Sequence, residues 1–129
     1  MMRYTAEELR GFAARIMEKA GLSPAARDIF SDSLVQADLR GISSHGVTRL
    51  AAYAKRVELG LVDGFAVPEL LADGGSLLSV DGKNGMGAYV GAWTMDLCIQ
   101  RARERGSCFA AVSHCNHFGY AAYFTERAA

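Results

Sequence analysis

A chain of 129 residues, half of them apolar, is long enough for one modest core and short for a two-domain enzyme. Its 14 basic and 14 acidic side chains cancel and form no long run of either sign, which argues against a nucleic-acid or membrane-surface partner. No apolar stretch reaches the roughly 18 residues that cross a bilayer, and the N-terminus turns acidic and helical too early for a signal peptide, so a soluble, cytoplasmic protein is expected.

In chain order, Thr5-Ala6-Glu7-Glu8 has the form of a capping box, and the helix it opens carries Leu9, Phe12, Ile16 and Met17 as a core stripe before stopping near Gly21. Ser23-Pro24 starts a second helix, with Ile29, Leu34, Val35 and Phe30 as core candidates and an end near Gly41. A third helix is expected from about Ser44 to Glu58, with Val47, Leu50, Ala54 and Val57 facing inward. In that helix His45, Arg49 and Tyr53 follow one another at four-residue steps and share a face. Two readings stay open at this point. The serines are caps and Arg49 a solvated charge, or Arg49 grips a carboxylate while His45 moves a proton at the adjacent oxygen.

From Pro68 the texture changes. Glu69 to Asp73 and Ser76 to Asp81 read as strands joined by a Gly74-Gly75 turn. A long helix from Met86 to Arg105 buries Val90, Trp93, Leu97 and Ala102, and the apolar run Cys108 to Ser113 reads as a strand covered on both faces. A last helix begins near Tyr120 and breaks off without a stop signal, as in the front part of a longer protein. Gly85, Gly87 and Gly91 lie where a Rossmann fingerprint would, but their spacing is off and no acid closes the next strand. A turn and close helix packing are the expected use of these glycines.

Ser113-His114-Cys115-Asn116-His117-Phe118-Gly119-Tyr120 concentrates polar and aromatic groups after that strand. It is either a turn capped by Asn116 or a site where His117 touches cofactor or substrate and Phe118 and Tyr120 offer flat ring surfaces. Cys98, Cys108 and Cys115 are odd in number and lack a Cys-x-x-Cys pair, so neither a disulfide framework nor a structural zinc is expected, and the thiols are expected to be buried. Cys115 beside His114 and His117 lacks the further ligands that a metal site needs, and no metal is expected.

Taken together, Ala37-Asp38-Leu39-Arg40-Gly41, Ser44-His45-Gly46-Val47, Arg49-Leu50, Tyr53, Asp81-Gly82 with Gly85 and Gly87, and Asn116-His117-Phe118-Gly119 resemble the malate/L-lactate dehydrogenase family of the non-Rossmann type. That family includes ureidoglycolate dehydrogenases and Δ1-piperideine-2-carboxylate reductases. The resemblance implies a mixed α/β fold: a three-helix N-terminal segment over residues 1–64 carrying the Ser-His-Arg motif, then the first part of a mixed-sheet, non-Rossmann nucleotide-binding domain over 65–129. It implies an oxidoreductase, usually a homodimer, that uses NAD or NADP to interconvert a 2-oxo acid or cyclic imino acid with the 2-hydroxy or cyclic amino acid. By position it assigns Ser44, His45 and His117 to proton transfer, and Arg49, with Tyr53, to substrate binding. His117, Phe118, Gly119, Tyr120 and Ala121 become part of the cofactor contact. The competing expectation is a non-catalytic domain acting in dimerisation or small-ligand binding.

Overall fold

Helix α1 (Ala6–Ala20) begins where Thr5 and Glu8 satisfy each other: the Glu8 amide donates to Thr5 Oγ1 at 3.2 Å and the Thr5 amide to the Glu8 carboxylate at 2.8 Å. A computed structural model describes residues 2–129, and in it α1 packs on α2 (Pro24–Leu39), which Ser23 caps through the Ala26 amide. Ala13 and Met17 are fully buried on α1, whereas Phe12, expected in the core, is 48% exposed. The line facing α2 passes through Ala13 and Met17, and Phe12 sits about 100° round the helix from Ala13. From α2 the core takes Ala26, Phe30 and Leu34, which meet Leu50, Ala54 and Val57 of α3 (Leu50–Glu58) and Met86 and Ala88 beyond.

The expected third helix is broken at its start. Ser43–His45 and Val47–Arg49 form two short 3₁₀ turns separated by Gly46, whose ψ of −157° is extended, and regular α-helix begins only at Leu50. The cause lies on α2: the Asp38 carboxylate accepts the Val47 amide proton at 2.8 Å, a donor that a continuous helix would have turned inward. His45 is therefore not on the same helix as Tyr53.

Strands β1 (Glu69–Asp73) and β2 (Leu77–Gly85) pair antiparallel around a tight turn in which the Gly74 amide donates to the Leu77 carbonyl at 2.8 Å. β2 runs four residues past its expected end, through Lys83 and Asn84 at positive φ, and enters α4 (Gly87–Arg105) directly. α4 returns the chain to β3 (Phe109–Cys115), parallel to β2, so the mixed sheet has the order β1-β2-β3. β3 is not covered on both faces as its composition suggests. Among the described residues it pairs with β2 alone, at the edge of the sheet, with Phe109 68% and Val112 38% exposed. Of the thiols expected to be buried, Cys115 is exposed and Cys98 and Cys108 are only partly covered.

α5 (Ala122–Ala128) is held to α4 by a two-pronged ion pair from Arg127 to Asp96 (2.6 and 2.8 Å). Among the described residues no helix is long and apolar enough to cross a membrane.

Candidate active site

The broken helix start is what builds the site. With Asp38 holding Val47, the two 3₁₀ turns fold tightly: Thr48 Oγ1 donates to the Ser43 carbonyl (2.8 Å) and Arg49 Nε to the Ser44 carbonyl (2.8 Å). Gly46 is buried under Asp38, and a Cβ there would lie 1.9 Å from a carboxylate oxygen. His45 projects from the first turn with Nδ1 at 2.9 Å from Ser44 Oγ. A hydroxyl both donates and accepts, so this contact persists whether the imidazole is neutral or charged.

His45, Arg49, Ala52, Tyr53, Arg56 and His117 line a cavity of about 380 Å³. His117 comes from the segment that follows β3, 64 residues after Tyr53. Asn116 locks that segment onto the end of β2, its amide nitrogen donating to Asn84 O (2.9 Å), Asn84 Oδ1 (2.9 Å) and Gly85 O (3.0 Å). Gly87, in the first turn of α4, allows the approach: a Cβ there would lie 2.2 Å from the His117 carbonyl oxygen and 2.3 Å from that of Asn116. The space in which a Rossmann loop would cradle a pyrophosphate is therefore filled by the chain itself, in keeping with the packing role expected of these glycines.

The His117 ring has a defined tautomer. Its Nδ1 accepts the Gly119 amide proton at 3.2 Å, and Tyr53 Oη lies 2.6 Å from the same nitrogen. A backbone amide can only donate, so the neutral ring carries its proton on Nε2. Burial pushes the Tyr53 phenol above its usual pKa against the opposing pull of Arg49 and Arg56, which keeps it a donor to Nδ1. The Tyr53 ring is itself fixed edge-on against Phe30, with centroids 4.8 Å apart. The His45 and His117 rings lie nearly parallel, 26° apart in plane and 6.1 Å apart in centroid.

The residues singled out in the sequence do not all meet. His45, Arg49, Tyr53 and His117 share the cavity, and Ser44 backs His45. Phe118 is 47% exposed beside His117, at a ring distance of 6.2 Å, and Gly119 supplies the amide to Nδ1. Tyr120 is 7% exposed with its ring near Tyr123, so it presents no open face, and Ala121 leads into α5. His114, one residue before the end of β3, bonds Asp81 at 3.0 Å, apart from the cavity lining. Asn116 ties strands together instead of capping α5. Arg56 and the Asp38–Gly46 contact were not anticipated. Arg56 had a signal, since it follows Arg49 by seven residues on the same face. The Asp38 contact had none, because it joins two elements.

A sequence profile described as malate/L-lactate dehydrogenase matches residues 4–129. A malate dehydrogenase of Pyrococcus abyssi is 37% identical over 128 residues, covering 99% of this chain and 35% of that one. A Delta(1)-pyrroline-2-carboxylate/Delta(1)-piperideine-2-carboxylate reductase of Pseudomonas aeruginosa is 31% identical over 118 residues, covering 92% and 35%. The solved malate dehydrogenase of Pyrococcus horikoshii OT3 superposes with a TM-score of 0.94 at 33% identity, over 98% of this chain and 36% of that one. The chain thus spans about a third of the length of these relatives, whose names are those of dehydrogenases and reductases. With the profile matched over nearly every residue and the mixed α/β fold shared, the chain belongs to the malate/L-lactate dehydrogenase family.

Proposed function

We propose that these residues form the acid-binding and proton-transfer part of an NAD(P)-dependent oxidoreductase interconverting a 2-oxo or cyclic imino acid with the 2-hydroxy or cyclic amino acid. The observation that carries this reading is the convergence of His45, Arg49, Tyr53 and His117 on one cavity. The named relatives act on hydroxy acids or cyclic imines, and both substrate types place a carboxylate beside the reacting carbon.

Arg49, anchored through Nε, keeps its two terminal nitrogens for that carboxylate and so fixes which face of the neighbouring carbon is presented. His45 exchanges the proton at the substrate oxygen or nitrogen, with Ser44 holding the ring through both charge states. His117 directs its Nε2 proton as a hydrogen-bond donor and is kept in that form by Tyr53 and Gly119. The residues fit a nicotinamide in part: the exposed Phe118 ring offers a flat face, and a Cβ on Gly119 would meet nothing within 4 Å. When bound, NAD(P)H supplies the hydride to the carbonyl or imine carbon. A cytoplasmic homodimer belongs to the same reading, and sedimentation checks the assembly.

The test is NADH and NADPH consumption with a panel of 2-oxo acids and cyclic imines, alongside carboxylate binding followed by NMR on the same sample. The reading expects binding to weaken about tenfold or more in Arg49→Ala. It expects turnover to fall roughly a hundredfold or more in His45→Ala. Binding without turnover would confine the chain to ligand binding. Absence of both would overturn the reading.

A further inference from the structure

The far end of α4 holds a pair of groups that the chemistry at His45 and His117 does not use. Cys98 lies about three turns, roughly 16 Å, along the helix from Gly87. Together with Cys108 it lines a second cavity of about 380 Å³, bordered also by Met95, Ile99 and Arg103. The fold brings the two cysteines to the same level. Gly106, at a φ of 88°, closes α4 by donating its amide to the Ala102 carbonyl at 2.7 Å and turns the chain back. Three residues of returning chain, at about 3.3 Å each, cover the roughly 10 Å along the axis that separate Arg105 from Cys98. The two thiols are close enough to perturb each other: burial first, and the Cys108 thiol second, push Cys98 up to about 11. Cys115 is out of reach, because the run of β3 sets it roughly 23 Å from Cys108, several times the Cα separation that a disulfide spans.

We infer that Cys98 and Cys108 are a reversible oxidation site, a dithiol that a peroxide converts to a disulfide clamping the end of α4 to the start of β3. Cys98 keeps its proton at neutral pH, so the first attack falls to Cys108, which has the Arg103 guanidinium on the same cavity. The Cys108 sulfur takes one oxygen of hydrogen peroxide as the O–O bond breaks, which leaves a sulfenic acid and releases water. The Cys98 sulfur then bonds to that of Cys108, the S–O bond breaks, and the hydroxyl leaves with the Cys98 proton as a second water. The pair has lost two hydrogens and two electrons, and the peroxide has been reduced to two waters. A thiol reductant reverses the step by exchange. In an unfolded chain nothing favours this pairing, since the loop between Cys108 and Cys115 is the shorter one to close. Its selectivity is a property of the fold.

The experiment treats the reduced chain with a slight excess of hydrogen peroxide at neutral pH and reads intact mass, thiol content and tryptic fragments. The expected product is about 2 Da lighter and keeps the Cys115 thiol alone. Trypsin cuts after Arg101, Arg103 and Arg105, so the link joins fragment 84–101 to fragment 106–127. Cys115→Ser should give the same joined pair, which assigns the link to Cys108, and dithiothreitol should restore the starting mass. In Cys98→Ser the mass should instead rise by about 16 Da, with the sulfenic acid trapped by dimedone. In concentrated urea the link should shift about tenfold or more toward Cys108 and Cys115. Wild type that gains oxygen without the lighter species, that forms only links between chains, or that pairs Cys98 with Cys108 no better folded than in urea overturns the inference. These wild-type masses decide the matter even where a variant fails to fold, which circular dichroism checks.

Discussion

Replacing Gly87 by alanine sets two physical effects against each other. Gly87 is the first residue of α4, and helix propensity alone favours alanine there by up to about 1 kcal/mol. The new methyl would, however, stand 2.2 Å from the His117 carbonyl oxygen, 2.3 Å from that of Asn116 and 2.5 Å from the His117 carbonyl carbon. These are backbone atoms, so no side chain can swing aside, and the loop itself must lift from α4. Overpacking of this kind costs about 1–3 kcal/mol, and contact with two carbonyls places it near 3. Net of propensity, Gly87→Ala should destabilise by about 2 kcal/mol, or about 8 °C in Tm for a chain of this size. Urea unfolding followed by Trp93 fluorescence measures it, and carboxylate affinity should fall as well, because the displaced loop carries His117. A variant as stable as wild type or more so, with unchanged affinity, would refute the claim that close packing here places the histidine.

Gly46→Ala should act through Asp38. Its φ of −90° suits any residue, so the cost, about 1–2 kcal/mol, comes from pushing the carboxylate off the Val47 amide. A double-mutant cycle in urea should find Gly46→Ala much milder in an Asp38→Ala background. The pH dependence of stability offers a third check. The Asp81 carboxyl is held below its ordinary pKa, first by the Lys83 amide and then by the His114 ring. Its contribution is complete above the ordinary carboxylate pKa and is lost as pH falls through the lower folded value. Tm should therefore drop more steeply on the acid side in wild type than in Asp81→Asn, and matching slopes would contradict this.

Much of the architecture was legible because it is locally encoded. The Thr5–Glu8 box, the Ser23-Pro24 start and the Gly74-Gly75 turn act within a few residues, and each lies where its chemistry puts it. The gathering of His45, Arg49, Tyr53 and His117 was legible for another reason: their residue types and order matched a family. What stayed hidden depends on contacts between elements. Periodicity alone carries the helix back to Ser44, and only the Asp38 carboxylate, reaching across from α2, breaks it. Cys108 to Ser113 reads as interior by composition, yet its exposure is decided by which strands flank it. Arg56 shares the face of Arg49 at a seven-residue step, yet beside Lys55 that spacing does not separate it from a solvated charge, and the contact with Asn116 does.

The bond between Tyr53 and His117 determines how the site can be watched. The contact between Tyr53 Oη and His117 Nδ1 joins residues 64 apart in sequence, whereas the Gly119 amide that fixes the proton on Nε2 lies in the same segment as the ring. Opening of the segment after β3 would break the Tyr53 contact and release Arg56 from Asn116, while leaving Arg49 on the Ser44 carbonyl. The Nδ1 chemical shift of His117 is thus a readout of whether the two halves are docked, independent of any ligand, because that nitrogen loses the Tyr53 partner on opening and keeps Gly119.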